Sequence, residues 1–419
     1  MARVKQVIHH IGLLWTMDDE SHSDGPRCGA DAMQTVGEMR DAAIAIDDAG
    51  VIVDVGPEKS IVDLADANTQ FIDAEGGFVG PGLVDPHTHL VHGGSREKEL
   101  PLRLAGASYL DILQAGGGIL STVRETSAYS EEALFAQAKT SLARMQRFGV
   151  TTVEAKTGYS SSLAVELKQL RVAQRLAEWA GIEIVHTAMP AHAVPKALPR
   201  GRDAYIEELL AMLPDLQAAG AEFADVFVED GVFSVDEGRQ ILQAAKRLGM
   251  KVKIHADEMV PIGGAQLAAE LGATSADHLL ASTDEGLFAL AEAGVMAVCL
   301  PGTSFYLQKP AARARFMLDE AQLGVAIASD YNPGTCPSEN FGLTMSLALL
   351  TLKMTPEEVF VAATRNAACA LGRGDVAGII RSGRPADIVI YAAANPEYVL
   401  THFGVSHVRQ VLVKGRPVL

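Results

Sequence analysis

The chain reads as an α/β protein: a (β/α)₈ TIM barrel carrying a small β-sandwich domain built from both chain termini. Three observations predict this. Residues 1 to about 80 hold short strand patterns broken by turn residues, with no convincing helix. The C-terminal stretch returns to that texture, so the two ends are expected to pair, giving a small domain of residues 1–80 plus 374–419 beside a barrel domain of 81–373. Between them, eight strand-like runs alternate with helical patterns, the order expected of a parallel sheet wrapped by helices.

The elements follow in order. VKQVIHHIGLLW, AIAIDDAGVIVDVGP and FIDAEGGFVGPG supply the N-terminal strands. The barrel strands are LVDPHTHL, VTTVEAKTG, IEIVHTAM, ADVFVEDG, KVKIHADE, TSADHL, VMAVCLPG and VAIASD. Helices between them include SEEALFAQAKTSLARMQRFG and SVDEGRQILQAAKRLG, each opened by a capping serine and ended near glycine. ADIVIY and HVRQVLVKGRPVL return as strands at the end. No solenoid repeat and no low-complexity segment interrupts the chain.

At 419 residues and 48% hydrophobic, the chain can bury a large core and exceeds the usual size of one unit. Its 52 acidic against 35 basic residues leave a net charge of −17, which argues against a nucleic-acid footprint. Cys28, Cys299, Cys336 and Cys369 are too widely spaced for a disulfide framework or a thiolate metal site. The apolar N-terminal stretch is interrupted by His9 and His10 and lacks a small-residue cleavage pattern, and no run approaches a membrane span. The expectation is a cytoplasmic enzyme with no nucleic-acid or membrane partner.

His87 and His89, in PGLVDPHTHL, stand one residue apart at the end of a strand, so their imidazoles face the same way. His255, His278 and Asp330 each fall where a later strand gives way to a polar loop. In a barrel, strand ends converge on one mouth, and these donors suit zinc or ferrous iron. Other readings stay open: His278 as a core histidine, and Asp330 as the start of the turn marked by Asn332, Pro333 and Gly334. Glu258, three positions beyond His255, is either a base acting on metal-activated water or a solvated loop carboxylate. Arg96 is either a fork for a substrate carboxylate or an ion-pair partner of Glu97 or Glu99. Gly116, Gly117 and Gly118 lack the lysine and hydroxyl of a phosphate loop and read as a flexible loop or lid; His186 reads as core.

On the stretches PGLVDPHTHLVHGGSRE, LRLAGASYLDILQAGGGILSTVRET, TTVEAKTGY, AHAVP, VFVEDGVFS, KIHADE, ADHL, LPGTSFYL, ASDYNPGTCPS and THFGVSHV, the chain resembles the amidohydrolase superfamily over nearly its whole length. It is most similar to the branch that opens the imidazolone ring in histidine degradation. The resemblance implies hydrolysis of 4-imidazolone-5-propanoate to N-formimidoyl-L-glutamate, in a homodimer with one Zn²⁺ or Fe²⁺/Fe³⁺ ion per subunit. It implies His87, His89, His255 and Asp330 as metal ligands, and Glu258 and His278 as catalytic groups. Arg96, Tyr159, His192, Asn332, Gly334 and Thr335 then contact substrate or product. Many binuclear relatives carry a modified lysine at the end of strand four; ADVFVEDG has none, which favours a single metal. Departures occur at His92, where an aromatic residue is commoner, at Ser160–Ser162, and at Met189-Pro190 before Ala191-His192. The alternatives are a related cyclic amidohydrolase or deaminase with another acidic substrate, and a catalytically silent barrel kept for binding or assembly.

Overall fold

Strands β1 (Val4–Trp15), β2 (Glu38–Asp47), β3 (Ile52–Pro57), β4 (Gln70–Asp73) and β5 (Phe78–Pro81) open the chain. The structure is a computed structural model describing residues 3–19, 23–106, 116–160 and 162–418. Residues 107–115 of the LRLAGASYLDILQAGGGILSTVRET stretch, and Ser161 of the serine-rich departure, lie outside them. After β5 come the eight strands β6 (Leu83–Asp85), β7 (Val150–Lys156), β8 (Glu183–Ala191), β9 (Phe223–Val228), β10 (Lys251–Ala256), β11 (Ser275–His278), β12 (Met296–Cys299) and β13 (Val325–Ile327). Three more, β14 (Ile388–Tyr391), β15 (Val408–Val413) and β16 (Arg416–Pro417), close the sequence.

The chain ends share one eight-stranded sheet in the order β16-β15-β14-β5-β1-β2-β3, with β4 on β1. The join between the termini is antiparallel, with Val389 of β14 opposite Gly80 of β5. Isoleucines 8, 11, 44, 46, 52, 388 and 390 and Leu412 bury one shared apolar face across it, and that burial drives the distant ends together. Two five-residue helices, Gly29–Met33 and Glu58–Val62, occur where the sequence suggests none. One turn of helix is too short to leave a 3.6-residue signal.

The middle strands form a second, parallel sheet running in sequence order from β6 to β13, a nearly closed barrel. Its first and last strands are linked just beyond their ends. Asp330 N donates to His87 O at 3.1 Å, and His89 N donates to Tyr331 O at 2.9 Å. The Asp85 carboxylate accepts from Ser329 N at 3.0 Å and from the Ser329 hydroxyl. The barrel therefore comes together along the segments that carry candidate site residues. Outside it, the helix Glu131–Arg147 is capped by Ser130, and Val235–Arg247 by a reciprocal Ser234–Glu237 box. Where Met189 and Pro190 sit in β8, its register against β9 slips between Ala188 and Ala191. Proline has no N–H to give to a ladder. Among the described residues, no helix is long and apolar enough to cross a membrane.

Candidate active site

His87 and His89 follow β6, His255 lies in β10, His278 ends β11, and Asp330 lies just past β13. All five are buried at one end of the barrel. His87 Nε2 is 3.6 Å and His89 Nε2 3.9 Å from the same oxygen, Asp330 Oδ1. His255 Nε2 lies 3.4 Å from His89 Nε2. Three overlapping sets each hold ligand-capable atoms within 4.8 Å: His87, His89 and Asp330; His87, His255 and His278; and His89, His192 and His255. This cluster is suitable for a divalent metal.

The protonation states of two histidines agree with that use. Burial holds His87 well below the ordinary histidine value, with Lys156 and His255 adding to the effect, and burial with His192 and His255 does the same to His89. Both are therefore neutral donors at pH 7, the form a metal requires. His87 Nδ1 is 2.6 Å from Asp277 Oδ2, which leaves Nε2 buried and without a hydrogen-bond partner, aimed at the cluster. His255 Nδ1 lies 3.0 Å from Asp225 Oδ2. Burial pushes Asp330 up to about 7; its other oxygen accepts from the Thr303 hydroxyl.

A cavity of about 440 Å³ opens over the cluster, lined among others by Arg96, Tyr159, His192, Glu258, Asn332 and Thr335. The His192 ring stacks on His89, with centroids 4.5 Å apart and planes at 11°. Gly158 lets the Tyr159 loop pass close by: at φ +110°, a Cβ there would sit 2.9 Å from His192 Cβ. Glu258 Oε2 lies 3.9 Å from His278 Nε2. Burial first, then the negative charge of Glu229, pushes Glu258 up to about 7, while burial pushes His278 down to about 4. The turn after β13 is locked by Asn332, whose side chain accepts from Gly334 N and Thr335 N at 2.8 Å and donates to Asp330 O at 2.7 Å.

Arg96 reaches the cavity while holding an ion pair. Its Nε and Nη2 each donate to Glu99 at 2.9 Å, so the neighbouring pair left open by the sequence is present and Nη1 is the arm left over. Glu99 also accepts from Gly118 N at 2.7 Å, which ties Gly118 down as the residue opening the helix Ile119–Ala128. His92 is buried behind this wall with Nδ1 3.2 Å from Gln137 Nε2.

Several residues around the site went unread in the sequence. Asp85, Asp225, Asp277 and Thr303 each bind a candidate ligand or its carrier segment. Asp257 accepts from Gly263, Gly264 and Ala265 N at 2.9–3.2 Å and so holds the loop bearing Glu258. Glu154, Lys156 and Lys253 lie fully buried in the barrel. A signal existed: charges at i and i+2 inside otherwise apolar strands, Glu154 with Lys156 and Lys253 with His255.

Comparisons with known proteins agree with this arrangement. A family profile described as "Amidohydrolase family" matches residues 78–418. The chain is 49% identical over 419 residues to the protein named Imidazolonepropionase of Bacillus velezensis, covering 100% of this chain and 97% of that one. It is 50% identical over 411 residues to that of Bacillus cytotoxicus, covering 98% and 95%. Among solved structures, an adenosine deaminase from Xanthomonas campestris with bound zinc superposes with TM-score 0.72 at 19% identity, over 99% of this chain and 93% of that one. The match across the barrel and the returning C-terminal strands is enough to say that the chain belongs to the amidohydrolase family.

Proposed function

We propose that the protein is a metal-dependent hydrolase that opens the cyclic amide of 4-imidazolone-5-propanoate, giving N-formimidoyl-L-glutamate. The observation that carries this reading is the 49–50% identity, along essentially the whole chain, to proteins named Imidazolonepropionase. In it, His87, His89, His255 and Asp330 hold one Zn²⁺ or Fe²⁺/Fe³⁺ ion. The donor set fits: imidazole nitrogens and one carboxylate converge, and His87 Nε2 is buried without a partner. When bound, such an ion supplies Lewis acidity, activating water near neutral pH and polarising the ring carbonyl.

The chain's own groups do the rest. Glu258 takes the water proton as oxygen adds to the amide carbon, and returns it to the ring nitrogen as the carbon–nitrogen bond breaks. His278, neutral at pH 7, hydrogen-bonds the nucleophile or the developing oxyanion. Arg96, with Tyr159, His192, Asn332, Gly334 and Thr335, receives the propionate and the ring. The same reading takes the parallel sheet as a (β/α)₈ TIM barrel of residues 81–373. It takes the terminal sheet as a β-sandwich of 1–80 plus 374–419, and the protein as a cytoplasmic homodimer.

The test is direct. Metal-loaded protein should convert 4-imidazolone-5-propanoate to N-formimidoyl-L-glutamate without releasing ammonia. Ammonia release would make it a deaminase, and no turnover of the imidazolone by the loaded protein would end the reading.

A further inference from the structure

The interior of a parallel barrel is ordinarily filled by branched apolar side chains. Here five charged residues, Glu154 and Lys156 of β7, Asp225 of β9, Lys253 of β10 and Asp277 of β11, occupy it at 0–1% exposure. They form one connected unit. Glu154 Oε2 lies 2.9 Å from both Lys156 Nζ and Lys253 Nζ. Lys156 continues to Asp225 at 2.7 Å and to Asp277 at 3.7 Å, and Lys253 lies 3.6 Å from Asp277. Lys253 also donates to Pro86 O at 2.7 Å, just before His87 in sequence. The ends of the unit meet the metal cluster, Asp277 at His87 Nδ1 and Asp225 at His255 Nδ1.

Burying a charge is costly unless it is paired and hydrogen-bonded, so such a group in place of a packed apolar layer needs a reason. The connectivity supplies one. We propose that Lys156, Lys253 and Glu154 are positioning residues that hold the Asp225 and Asp277 carboxylates in place against the His255 and His87 rings, so that both rings present Nε2 to a metal. The inference rests on the metal-ligand reading above and adds a layer of residues beneath it. Glu154 is the hub: it touches neither histidine, yet it accepts from both lysines, and the Thr187 hydroxyl donates to its other oxygen. Three carboxylates against two ammonium groups leave the unit one negative charge, and losing either lysine leaves it two, weakly screened at 0–1% exposure. Excess negative charge drives the carboxylates apart, so Asp277 and Asp225 shift from the His87 and His255 rings they sit against and those rings lose orientation.

Zinc alone is the probe. Its affinity for the purified, metal-stripped full chain is measured by competition with a chromophoric chelator, with thermal unfolding of the metal-free protein checking the fold. Lys156→Met and Lys253→Met should each weaken zinc binding at least tenfold, within the 10–100-fold range typical of groups that orient metal ligands. The double variant Glu154→Gln/Lys156→Met restores the single negative charge and should bind zinc within tenfold of the parent. Parent-like affinity in a folded Lys156→Met protein would overturn the proposal. So would a tenfold or greater loss in the double variant, which also decides the matter if the single lysine variants do not fold. Because the readout is zinc and not turnover, it stays separate from the substrate assignment: a protein inactive on the imidazolone can still pass, and an active one can still fail.

Discussion

Glu258 lies 3.9 Å from His278 Nε2, with its carboxyl pushed up to about 7 by burial and by Glu229. A base works only when deprotonated, so kcat/KM should rise with pH through about 7 and then level off. Glu258→Gln should keep its metal, lose turnover by roughly 10²-fold and lose that acid limb; a pH–rate profile with the limb intact would assign it to another group. Arg96 makes a different kind of prediction because its fork already grips Glu99. Arg96→Met should leave metal content unchanged and lower kcat/KM by about 1.5–3 kcal/mol, the usual value of a hydrogen bond to a charged group. Glu99→Gln should lower it in the same direction but less, because it loosens Arg96 without removing it. An imidazolone lacking the carboxylate should be nearly insensitive to both changes; equal losses with both substrates would make Arg96 structural. At the metal, replacing His87 or Asp330 with Ala should remove bound metal and activity together, as read by mass spectrometry and assay.

Short connecting elements aim these side chains. Gly334 sits under Arg96 so closely that a Cβ would lie 1.9 Å from Nη1. Gly334→Ala should therefore displace the guanidinium, raising KM with metal occupancy unchanged. The slip in β8 at Pro190 ends where Ala191 leads into His192, so a strand defect governs where a ring stacked on His89 lands. Ser234 bonds Glu237 of its own helix rather than a candidate site residue, so its loss is expected to answer to stability. Ser234→Ala breaks the reciprocal cap of Val235–Arg247 and should cost about 1 kcal/mol, seen as a lower unfolding midpoint with unchanged kinetics.

Across the whole molecule the candidate ligands are imidazole nitrogens and one carboxylate gathered from three strand ends, and only the native fold assembles them. Zinc should therefore raise the thermal midpoint of the folded protein by mass action, with about 4 kcal/mol gained at a free concentration a thousand times Kd. Asp330→Ala should erase most of that gain, as differential scanning calorimetry would show. Much of this organisation was legible in the chain itself. Strand-to-helix alternation and strand-end placement marked His87, His89, His255, His278 and Asp330, because strand geometry is local and repeats every two residues. The sequence alone thus determined the two kinds of sheet and the joining of the chain ends, and it placed the candidate donors at strand ends while leaving other readings of His278 and Asp330 open. Only the tertiary structure decided who partners whom: Asp277 with His87 from 190 positions away, Lys156 with Asp225 from 69 away, and Glu99 rather than Glu97 with Arg96. A charge within a strand looks the same in sequence whether it faces water or the barrel interior. Its partner is chosen by the curl of the sheet, which brings inward-facing residues of distant strands within bonding distance where no water competes.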